Sequence, residues 1–310
     1  MYPVIPTSCI QVRELVINWH ITEVCNYRCH YCFAKWQQPE KQRELIHDGE
    51  RTEALLNEIF SYFHPDNSLN PLQQLMSWDS LRLNLAGGEP LLYGPEVVRA
   101  VRIARRIGFE VSLITNGSRL TYGLMADLAP NLAILGLSLD SSIDSTNRQI
   151  GRADKRFSVV SSNRLADVVA VGRSLNPNLK LKINTVVNAL NWREDMQDFI
   201  REFAPDKWKV LQMLPTVTDD LAISGAEYSE FVKRHRAVDL MRVEDNAGMA
   251  ESYIMVDPHG RFFQNALGRK GYDYSAPIHE VGATVAFPQV SVSSQKFCSR
   301  YEIDSVRISA

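Results

Sequence analysis

The chain has 310 residues, of which 45% are hydrophobic and 23% are charged, a composition typical of a globular protein. Its formal net charge of −2 gives no overall positive field for nucleic-acid binding. No apolar run reaches the roughly 18–20 residues that a membrane span needs, and the first residues lack the features of a signal peptide. We therefore expect a cytoplasmic protein without a nucleic-acid or membrane partner.

Predicted strands and helices alternate along most of the chain. Strands are predicted at 14–21, 81–86, 109–115, 132–139, 179–187, 208–213 and 252–256. Helices are predicted at 50–63, 95–107, 120–128, 157–175, 193–203 and 227–240. Six repeats of strand and helix predict a parallel sheet with helices outside. Since eight repeats close a full barrel, we expect an α/β fold with a partial (β/α)6 barrel.

This pattern divides the chain into three parts. An N-terminal segment covers residues 1–13, and the barrel covers 14–240. The pattern stops near residue 241, so we expect residues 241–310 to form an extension that caps one end. Five features lie just after predicted strands: the cysteine cluster, Gly87-Gly88-Glu89-Pro90, Asn116, Asp140 and Asn188. Because chemistry in such folds occurs beyond the carboxyl ends of the strands, we place the active site there.

Three of the five cysteines lie within eight positions, as Cys25, Cys29 and Cys32. An odd total and this crowding do not suit a secreted disulfide scaffold. Three thiolates on one loop can bind three irons of a [4Fe–4S] cluster and leave the fourth iron open to a small molecule. One alternative is structural zinc, with His20 or His30 as fourth ligand. The other is three unrelated thiols. We expect Cys9 and Cys298 to be packing or surface thiols.

The C-x3-C-x2-C motif, with Tyr31 before its last cysteine, resembles the radical S-adenosylmethionine (SAM) superfamily. The resemblance implies that the open iron binds SAM and that one electron from the cluster splits SAM into methionine and a 5′-deoxyadenosyl radical. The glycines and carboxylate of Gly87-Gly88-Glu89-Pro90 resemble the GGEP motif that binds the SAM amino group. Asn116, Ser138 and Arg152 match ribose and carboxylate contacts. Each of these residues is also consistent with a turn, strand-end or surface role.

Within this superfamily the chain is similar to the viperin family, in its prokaryotic form. The more specific segments are Lys182-Ile183-Asn184-Thr185-Val186-Val187-Asn188, Trp208-Lys209-Val210 and Ser252-Tyr253-Ile254. The resemblance implies that the enzyme removes water from CTP, or from UTP or GTP in that order of preference, to form a 3′-deoxy-3′,4′-didehydro nucleotide. Such a product terminates polymerase chains and acts against viruses. A reductase or flavodoxin-type protein would donate electrons.

A triphosphate needs several Lys or Arg donors. The match to the family's triphosphate contacts falls on Arg82, Lys182, Lys207 and Lys209. Residues 182 and 184 point to one side of their strand, as do 207 and 209. Each cation is also consistent with a solvated strand end.

Three further residues complete the predicted site. Asn18 and Asn184 match residues near the substrate. Tyr253 matches a tyrosine that completes reduction of the nucleotide radical, which would make the 241–310 extension part of the substrate pocket. The chain departs from the family at Trp19, Ala86, Lys207 and Leu211, which leaves the base preference open.

Two other functions remain possible from the sequence. A radical SAM peptide or cofactor maturase usually carries a cysteine-rich C-terminal region, whereas only Cys298 lies beyond Cys32. A zinc-binding interaction module would be colourless, whereas an iron–thiolate protein is brown.

Overall fold

The computed structural model describes residues 10–33, 43–266 and 269–300. The strands in these ranges are β1 Ile10–His20, β2 Met76–Ala86, β3 Glu110–Thr115, β4 Ile134–Ser138, β5 Lys180–Val187, β6 Lys207–Gln212, β7 Met241–Glu244, β8 Ile254–Val256, β9 Arg261–Asn265 and β10 Tyr272–Pro277. The helices are α1 Gly49–Phe63, α2 Gly94–Ile107, α3 Tyr122–Leu128, α4 Asp144–Ile150, α5 Ser162–Leu175, α6 Gln197–Phe203, α7 Gly225–Arg234, α8 Asn246–Met249, α9 Ile278–Val281, α10 Ala283–Ala286 and α11 Ser294–Ser299.

The described strands form one sheet in the order β10-β9-β8-β1-β2-β3-β4-β5-β6-β7. Strands β1 to β7 are parallel, each pairing with the next, and β8 runs parallel to β1. Two pairings among the described strands are antiparallel: β8 with β9, and β9 with β10. The sheet ends at β7 on one side and at β10 on the other, so it stays open. The predicted α/β fold and its run of six parallel strands are confirmed.

One face of the sheet packs against the helices. Helix α1 begins where the Asp48 side chain accepts hydrogen bonds from the Glu50 and Arg51 N–H groups, which satisfies donors that lack a partner inside the helix. Its buried residues include Ile59 and Phe63, and these pack in the same core cluster as Leu83, Leu85, Val111 and Leu113 of the sheet. Burying this apolar surface stabilises the barrel wall and leaves the other face of the strands for polar residues.

Residues beyond 240 join the sheet at both edges instead of following it as a separate unit. Strand β7 pairs with β6, whereas β8, β9 and β10 extend the sheet from β1. Only the strand near residue 254 was predicted from the sequence, and the division of the chain at residue 240 remains a prediction. At the other end, β1 begins at Ile10, four residues before the predicted barrel.

Three predicted helices have the wrong limits. The helix predicted from residue 193 begins at Gln197. The helix predicted from residue 157 begins at Ser162, because the Ser161 side chain caps it by accepting from the Arg164 N–H and Phe157 has a positive φ of 59°. The helix predicted to reach residue 240 ends at Arg234. Helix α4 was not predicted, and it ends at Gly151 with a left-handed φ of 88°. None of the described helices has the length and apolar character to cross a membrane.

Candidate active site

The cysteine loop lies after β1 and is held on one side by the glycine turn after β2. The Gly88 N–H donates to the Thr22 carbonyl and the Glu89 N–H donates to the Val24 carbonyl, both at 2.8 Å. A Cβ at Gly88 would lie 2.2 Å from the Val24 carbonyl oxygen, and one at Gly87 would lie 2.5 Å from that of Thr22. Only glycine permits so close an approach of two backbones. The two predicted glycines therefore shape the cysteine loop directly.

The residues after helix α4 hold the other side of the loop. The Arg28 N–H donates to the Gly151 carbonyl and the His30 N–H donates to the Ile150 carbonyl, both at 3.0 Å. Gly151 has a positive φ, and a Cβ there would lie 2.2 Å from the Arg28 carbonyl oxygen. The loop is thus fixed between two glycine-dependent contacts that are distant in sequence.

Side-chain donors face two of the three partly exposed sulfurs. The Asn116 amide nitrogen lies 4.0 Å from Cys25 Sγ, and Arg152 Nη1 lies 3.9 Å from Cys29 Sγ. Burial raises the pKa of the Cys29 thiol to about 12, and the nearby thiols of Cys32 and Cys25 act in the same direction. The three sulfurs are therefore close enough to influence one another. Donors at this distance stabilise thiolates once iron has displaced the protons.

This donor set fits a [4Fe–4S] cluster with an open iron. Within the described ranges, no group of three or more His, Cys, Asp or Glu side chains has a spacing suited to one metal ion. In such a cluster each thiolate binds its own iron, so the sulfurs need not converge on one atom. Cys25, Cys29 and Cys32 would hold the cluster, and the open iron would face the SAM molecule that the predicted contacts surround.

Glu89 is buried and already has three partners. Its carboxylate accepts from the Leu91 N–H at 3.0 Å, the Thr115 hydroxyl at 2.6 Å and the Asn116 N–H at 2.7 Å. Burial raises the pKa of Glu89, and these donors oppose the shift. The carboxylate thus ties the glycine turn to the end of β3, in addition to the SAM contact predicted for it.

Arg152, Tyr31 and Asp140 form a buried polar cluster beside Cys29. Arg152 Nη1 donates to the Tyr31 hydroxyl at 3.0 Å and pairs with Asp140 at 3.2 Å. The Tyr31 hydroxyl donates to Asp140, and Arg152 Nη2 donates to the Ser138 carbonyl. Burial acts to lower the pKa of Arg152, but the Asp140 carboxylate holds it well above its usual value. The predicted residues Tyr31, Ser138 and Arg152 therefore meet at one point.

A cavity opens next to this cluster. Its lining includes Tyr27, Asn116, Ser138, Asn147 and Arg152. Three of the five are predicted SAM contacts, and two of those three have side chains that reach a cluster cysteine. The structure thus brings the predicted ribose and carboxylate contacts to one cavity beside the cysteine loop.

The four predicted triphosphate ligands also come together, on the face of the sheet opposite the helices. Lys182 pairs in register with Lys207 on β6, and Asn184 pairs with Lys209. Burial lowers the pKa of Lys182 well below its usual value, and the charges of Lys209, Arg82 and Lys207 lower it further. The three lysines thus lie on neighbouring strands, and the charge of Arg82 is near enough to act on Lys182.

Lys182 and Asn184 have unused hydrogen-bonding groups. Within the described part of the chain, the Lys182 ammonium has no hydrogen bond or ion pair, and the buried Asn184 Oδ1 has no donor. Gly136 leaves room for this lysine, because a Cβ there would lie 3.3 Å from Lys182 Cε. Buried polar groups are normally paired, so these atoms point to a polar ligand at this place.

Arg82 is held by protein partners. Its Nε donates to Glu14 at 2.5 Å and its Nη1 lies 3.4 Å from the Ser112 hydroxyl. That hydroxyl donates to Asn84 at 2.8 Å, and the Asn84 amide donates to Asn18 at 2.9 Å. A continuous polar chain therefore links Arg82 to Asn18 across three strands. The sequence did not reveal Glu14, Asn84 or Ser112 as parts of the site.

Tyr253 lies between two cations and a carboxylate. Lys209 Nζ lies 3.0 Å from its hydroxyl, and that hydroxyl donates to Glu244 at 2.8 Å. The Arg300 guanidinium lies 3.5 Å above the ring and pairs with Glu244 at 2.6 Å. Burial raises the pKa of Tyr253, so the phenol is a hydrogen donor at neutral pH. Lys209 also pairs with Glu244 at 2.7 Å, which joins the tyrosine to the four cations.

Comparison with known proteins identifies the family of this chain. Residues 19–166 match the model of the radical SAM superfamily. An S-adenosylmethionine-dependent nucleotide dehydratase from Pseudoalteromonas ulvae is 42% identical over 94% of this chain and 94% of its own. The chain belongs to the family of S-adenosylmethionine-dependent nucleotide dehydratases. A second member, from Psychrobacter lutiphocae, is 41% identical over 94% of this chain and 95% of its own. The predicted viperin-type family is confirmed by these two relatives. An S-adenosylmethionine-dependent nucleotide dehydratase named RSAD2, from Oncorhynchus mykiss, is 28% identical over 92% of this chain and 78% of its own.

Solved structures support the fold of this dehydratase. One described as native anSMEcpe with bound AdoMet superposes with a TM-score of 0.63 over 95% of this chain and 84% of its own, at 14% identity. One of SuiB bound to S-adenosylmethionine has a TM-score of 0.59 over 96% of this chain and 69% of its own, at 13% identity. At such identities the likeness shows the fold alone. Family membership therefore favours a nucleotide dehydratase over the two other functions that the sequence left open, a radical SAM maturase and a zinc-binding interaction module.

Cys298 and Trp19 both lie in the core of the dehydratase. Cys298 is buried, with its Sγ 3.8 Å from Met76 Sδ, so it packs in the core as expected, whereas Cys9 lies outside the described residues. Trp19 is fully buried and donates to the Asp257 carbonyl at 3.2 Å. It points away from its neighbour Asn18, as alternate residues of a strand do. This departure from the family therefore does not contact the substrate face.

Asp140 lies just after β4, at the edge of the sheet where the sequence placed the active site, but no role was predicted for it. Glu244 and Arg300 of the dehydratase site were not predicted, as Glu14 was not. Glu244 lies on β7, which was not predicted, and Arg300 lies just after α11. Neither has a local motif, because each is positioned by contacts with residues far away in the chain.

Proposed function

We propose that this protein removes water from the ribose of a nucleoside triphosphate, forming a 3′-deoxy-3′,4′-didehydro nucleotide. The observation that carries the proposal is that four cations meet around the Lys182 ammonium, which has no hydrogen bond or ion pair to the residues that the structure describes. A triphosphate carries about four negative charges and suits such a set of donors. The dehydratase names of the relatives support the nucleotide and the loss of water.

When bound, the cluster and SAM supply the carbon radical that takes a hydrogen atom from ribose C4′. The chain's own residues hold and orient this chemistry. Cys25, Cys29 and Cys32 bind the cluster. Arg152 offers a buried positive charge, with Asp140 fixing its position, for the SAM carboxylate.

The substrate half of the site lies across the same face of the sheet. Lys182, Lys207 and Lys209 bind the phosphates, and Arg82 extends the positive charge toward β1. The Asn184 amide oxygen accepts from a substrate N–H or hydroxyl. Lys209 is paired with Glu244 at 2.7 Å before substrate binds, so a triphosphate competes with that carboxylate for its ammonium. The polar chain from Asn18 orients the nucleoside portion.

Tyr253 completes the reaction in this proposal. The 3′-hydroxyl leaves as hydroxide, so the nucleotide radical cation left behind requires one electron and the hydroxide requires one proton to become water. The Tyr253 hydroxyl supplies this electron and this proton, and an electron from the donor protein and a proton from solvent restore the tyrosine. Glu244 accepts the hydrogen bond of this hydroxyl at 2.8 Å and so fixes its direction.

The Tyr253→Phe variant is expected to consume SAM but to lose product. Removing the hydroxyl leaves the triphosphate and SAM contacts in place, so triphosphate-dependent formation of 5′-deoxyadenosine continues. The dehydrated nucleotide falls by about 10²-fold or more, the usual size of a lost proton-transfer group. Mass spectrometry of nucleotide and nucleoside in the same reaction measures both. Tyr122→Phe, at an exposed position of α3, serves as the control. Unchanged product from Tyr253→Phe would exclude this role.

CTP is proposed as the preferred substrate, followed by UTP and GTP. We expect CTP, but not CMP, to increase SAM cleavage sharply, because only the triphosphate reaches the cations. Anaerobic incubation with SAM, dithionite and each of the four nucleoside triphosphates, followed by mass spectrometry for the loss of water, tests the proposal. If no triphosphate increases SAM cleavage or loses water, the proposed function is wrong.

In the cell we propose that the reaction takes place in the cytoplasm, with a reductase or flavodoxin-type protein as electron donor. The product lacks the 3′-hydroxyl that a polymerase extends. It therefore terminates nucleic-acid chains, which gives the enzyme an antiviral role.

A further inference from the structure

A positively charged surface borders the cysteine loop. It is formed by five exposed side chains, here called the basic rim: Arg28, Arg119, Arg148, Lys155 and Arg156. Two carboxylates interact with it. Asp144 lies 3.4 Å from Arg148, and Asp154 interacts through space with Arg156 and Arg119. The rim and these carboxylates together carry three net positive charges, whereas the whole chain carries a net charge of −2.

The basic rim is built on the segments that hold the cysteine loop. Arg28 directly precedes Cys29, and its N–H donates to the Gly151 carbonyl at 3.0 Å. Arg119 follows Ser118, whose hydroxyl accepts from the Asn26 amide at 2.9 Å. Lys155 and Arg156 follow Gly151 within one short turn. The rim therefore lies beside the loop that carries the three partly exposed cysteines.

An exposed aromatic residue lies in the same surface. Phe157 is 71% exposed and has a positive φ of 59°, a conformation that bulky residues rarely adopt. The turn is nevertheless well defined: the Phe157 N–H donates to the Asp154 carbonyl at 2.9 Å, and Arg148 Nε donates to the Phe157 carbonyl at 3.1 Å. Strained residues of this kind cluster at functional sites, and exposed aromatic side chains are enriched in protein interfaces.

An ordinary solvated surface explains these features less well. Exposed cations are usually scattered and paired with carboxylates. Here, within the described residues, the side chains of Arg28, Arg119, Lys155 and Arg156 make no hydrogen bond and no ion pair closer than 4.0 Å. Val24 and Phe33, on either side of the cysteine motif, are 48% and 43% exposed. Cations around exposed apolar groups suit a protein partner of opposite charge.

We propose that the basic rim is the docking surface for an acidic one-electron carrier protein of the flavodoxin type. This inference rests on the proposed function, which consumes electrons through the cluster. In each encounter the reduced carrier loses one electron and the cluster, when bound, gains it, while no atom or proton crosses the surface. Redox encounters bury little area and depend on charge to bring the partners together, which is what a compact rim of cations provides.

The test compares two triple charge reversals. The rim variant carries Arg119→Glu, Lys155→Glu and Arg156→Glu. The control variant carries Lys180→Glu, Lys233→Glu and Arg236→Glu, which reverse three exposed cations near the amino ends of β5 and β7. Binding of a purified, negatively charged flavodoxin to each protein is measured by biolayer interferometry at low and high ionic strength. SAM cleavage is measured with dithionite and, separately, with reduced flavodoxin.

We expect the rim variant to bind flavodoxin about tenfold or more weakly at low ionic strength, and salt to weaken the wild-type complex. Its flavodoxin-driven activity falls in parallel while its dithionite-driven activity stays unchanged, and the control variant behaves as wild type. If the rim variant and the control variant bind flavodoxin equally well, the proposal is wrong. It is also wrong if the rim variant loses as much dithionite-driven activity as flavodoxin-driven activity. Rim-dependent binding of single-stranded DNA without binding of flavodoxin also overturns it. The binding arm needs no nucleotide substrate, so it is readable even if the proposed function fails.

Discussion

Replacing Cys29 with alanine is expected to abolish 5′-deoxyadenosine formation from SAM and dithionite. Cys29 Sγ lies 3.9 Å from Arg152 Nη1, at the meeting point of the cysteine loop and the predicted SAM contacts. One of three thiolates cannot be lost without exposing a second iron. We therefore expect the iron content to fall from about four per chain to well below that value, together with the brown colour. Iron analysis and chromatography of the reaction mixture measure both effects.

Cys298→Ala is the matched control for this experiment. Cys298 is buried against Met76, far in sequence from the cluster motif, and its loss costs packing energy of about 1 kcal/mol. The control is expected to keep both its iron and its SAM cleavage. If Cys29→Ala still formed 5′-deoxyadenosine at the wild-type rate, the assignment of the cluster to this loop would be wrong.

Lys182→Met is expected to stabilise the substrate-free protein and to abolish tight nucleotide binding. Burial is the largest cause that lowers the pKa of Lys182 well below its usual value. The nearby charges of Lys209, Arg82 and Lys207 lower it further, whereas Glu244 raises it. The unfolded chain therefore binds a proton at Lys182 more readily than the folded chain does. This difference lowers the free energy of unfolding at neutral pH, and the loss disappears as pH rises toward the unfolded pKa of about 10.4. Methionine keeps the shape of the side chain without its charge.

Two measurements check this prediction. Thermal unfolding without nucleotide gives a higher Tm for Lys182→Met than for the wild type. As pH rises above neutral, the Tm of the variant increases less than that of the wild type. Added CTP raises the Tm of the wild type by mass action but raises that of the variant much less. Losing one charged contact of about 1.5–3 kcal/mol corresponds to about 10–150-fold weaker binding.

Lys180→Met, on the same strand, provides the control. Lys180 is exposed and pairs in register with Ile134 at the start of β4, so its charge is solvated. Neither the Tm nor its response to CTP is expected to change. Equal CTP binding by Lys182→Met and wild type would remove Lys182 from the proposed triphosphate site.

Much of the barrel and of the cluster motif follows from local sequence. The alternation of strand and helix predicted six parallel strands in order, because short connections make sequential strands neighbours. The carboxyl ends of parallel strands meet at one edge, so Asn116, Asp140 and the cysteines were expected to lie together. Alternation along a strand also placed Asn184 on the side of Lys182. The same alternation places Trp19 opposite Asn18, a position that was not predicted.

The tertiary structure decided which groups pair across the site. Tyr253 contacts Lys209, Glu244 and Arg300, and Arg82 pairs with Glu14. These contacts join residues separated by up to 68 positions. Local patterns determine where a helix or strand forms and which side of it a residue takes, but they carry no information about the distance between charges on strands far apart in sequence. That distance is set by register and sheet curvature, which depend on the packing of the whole chain.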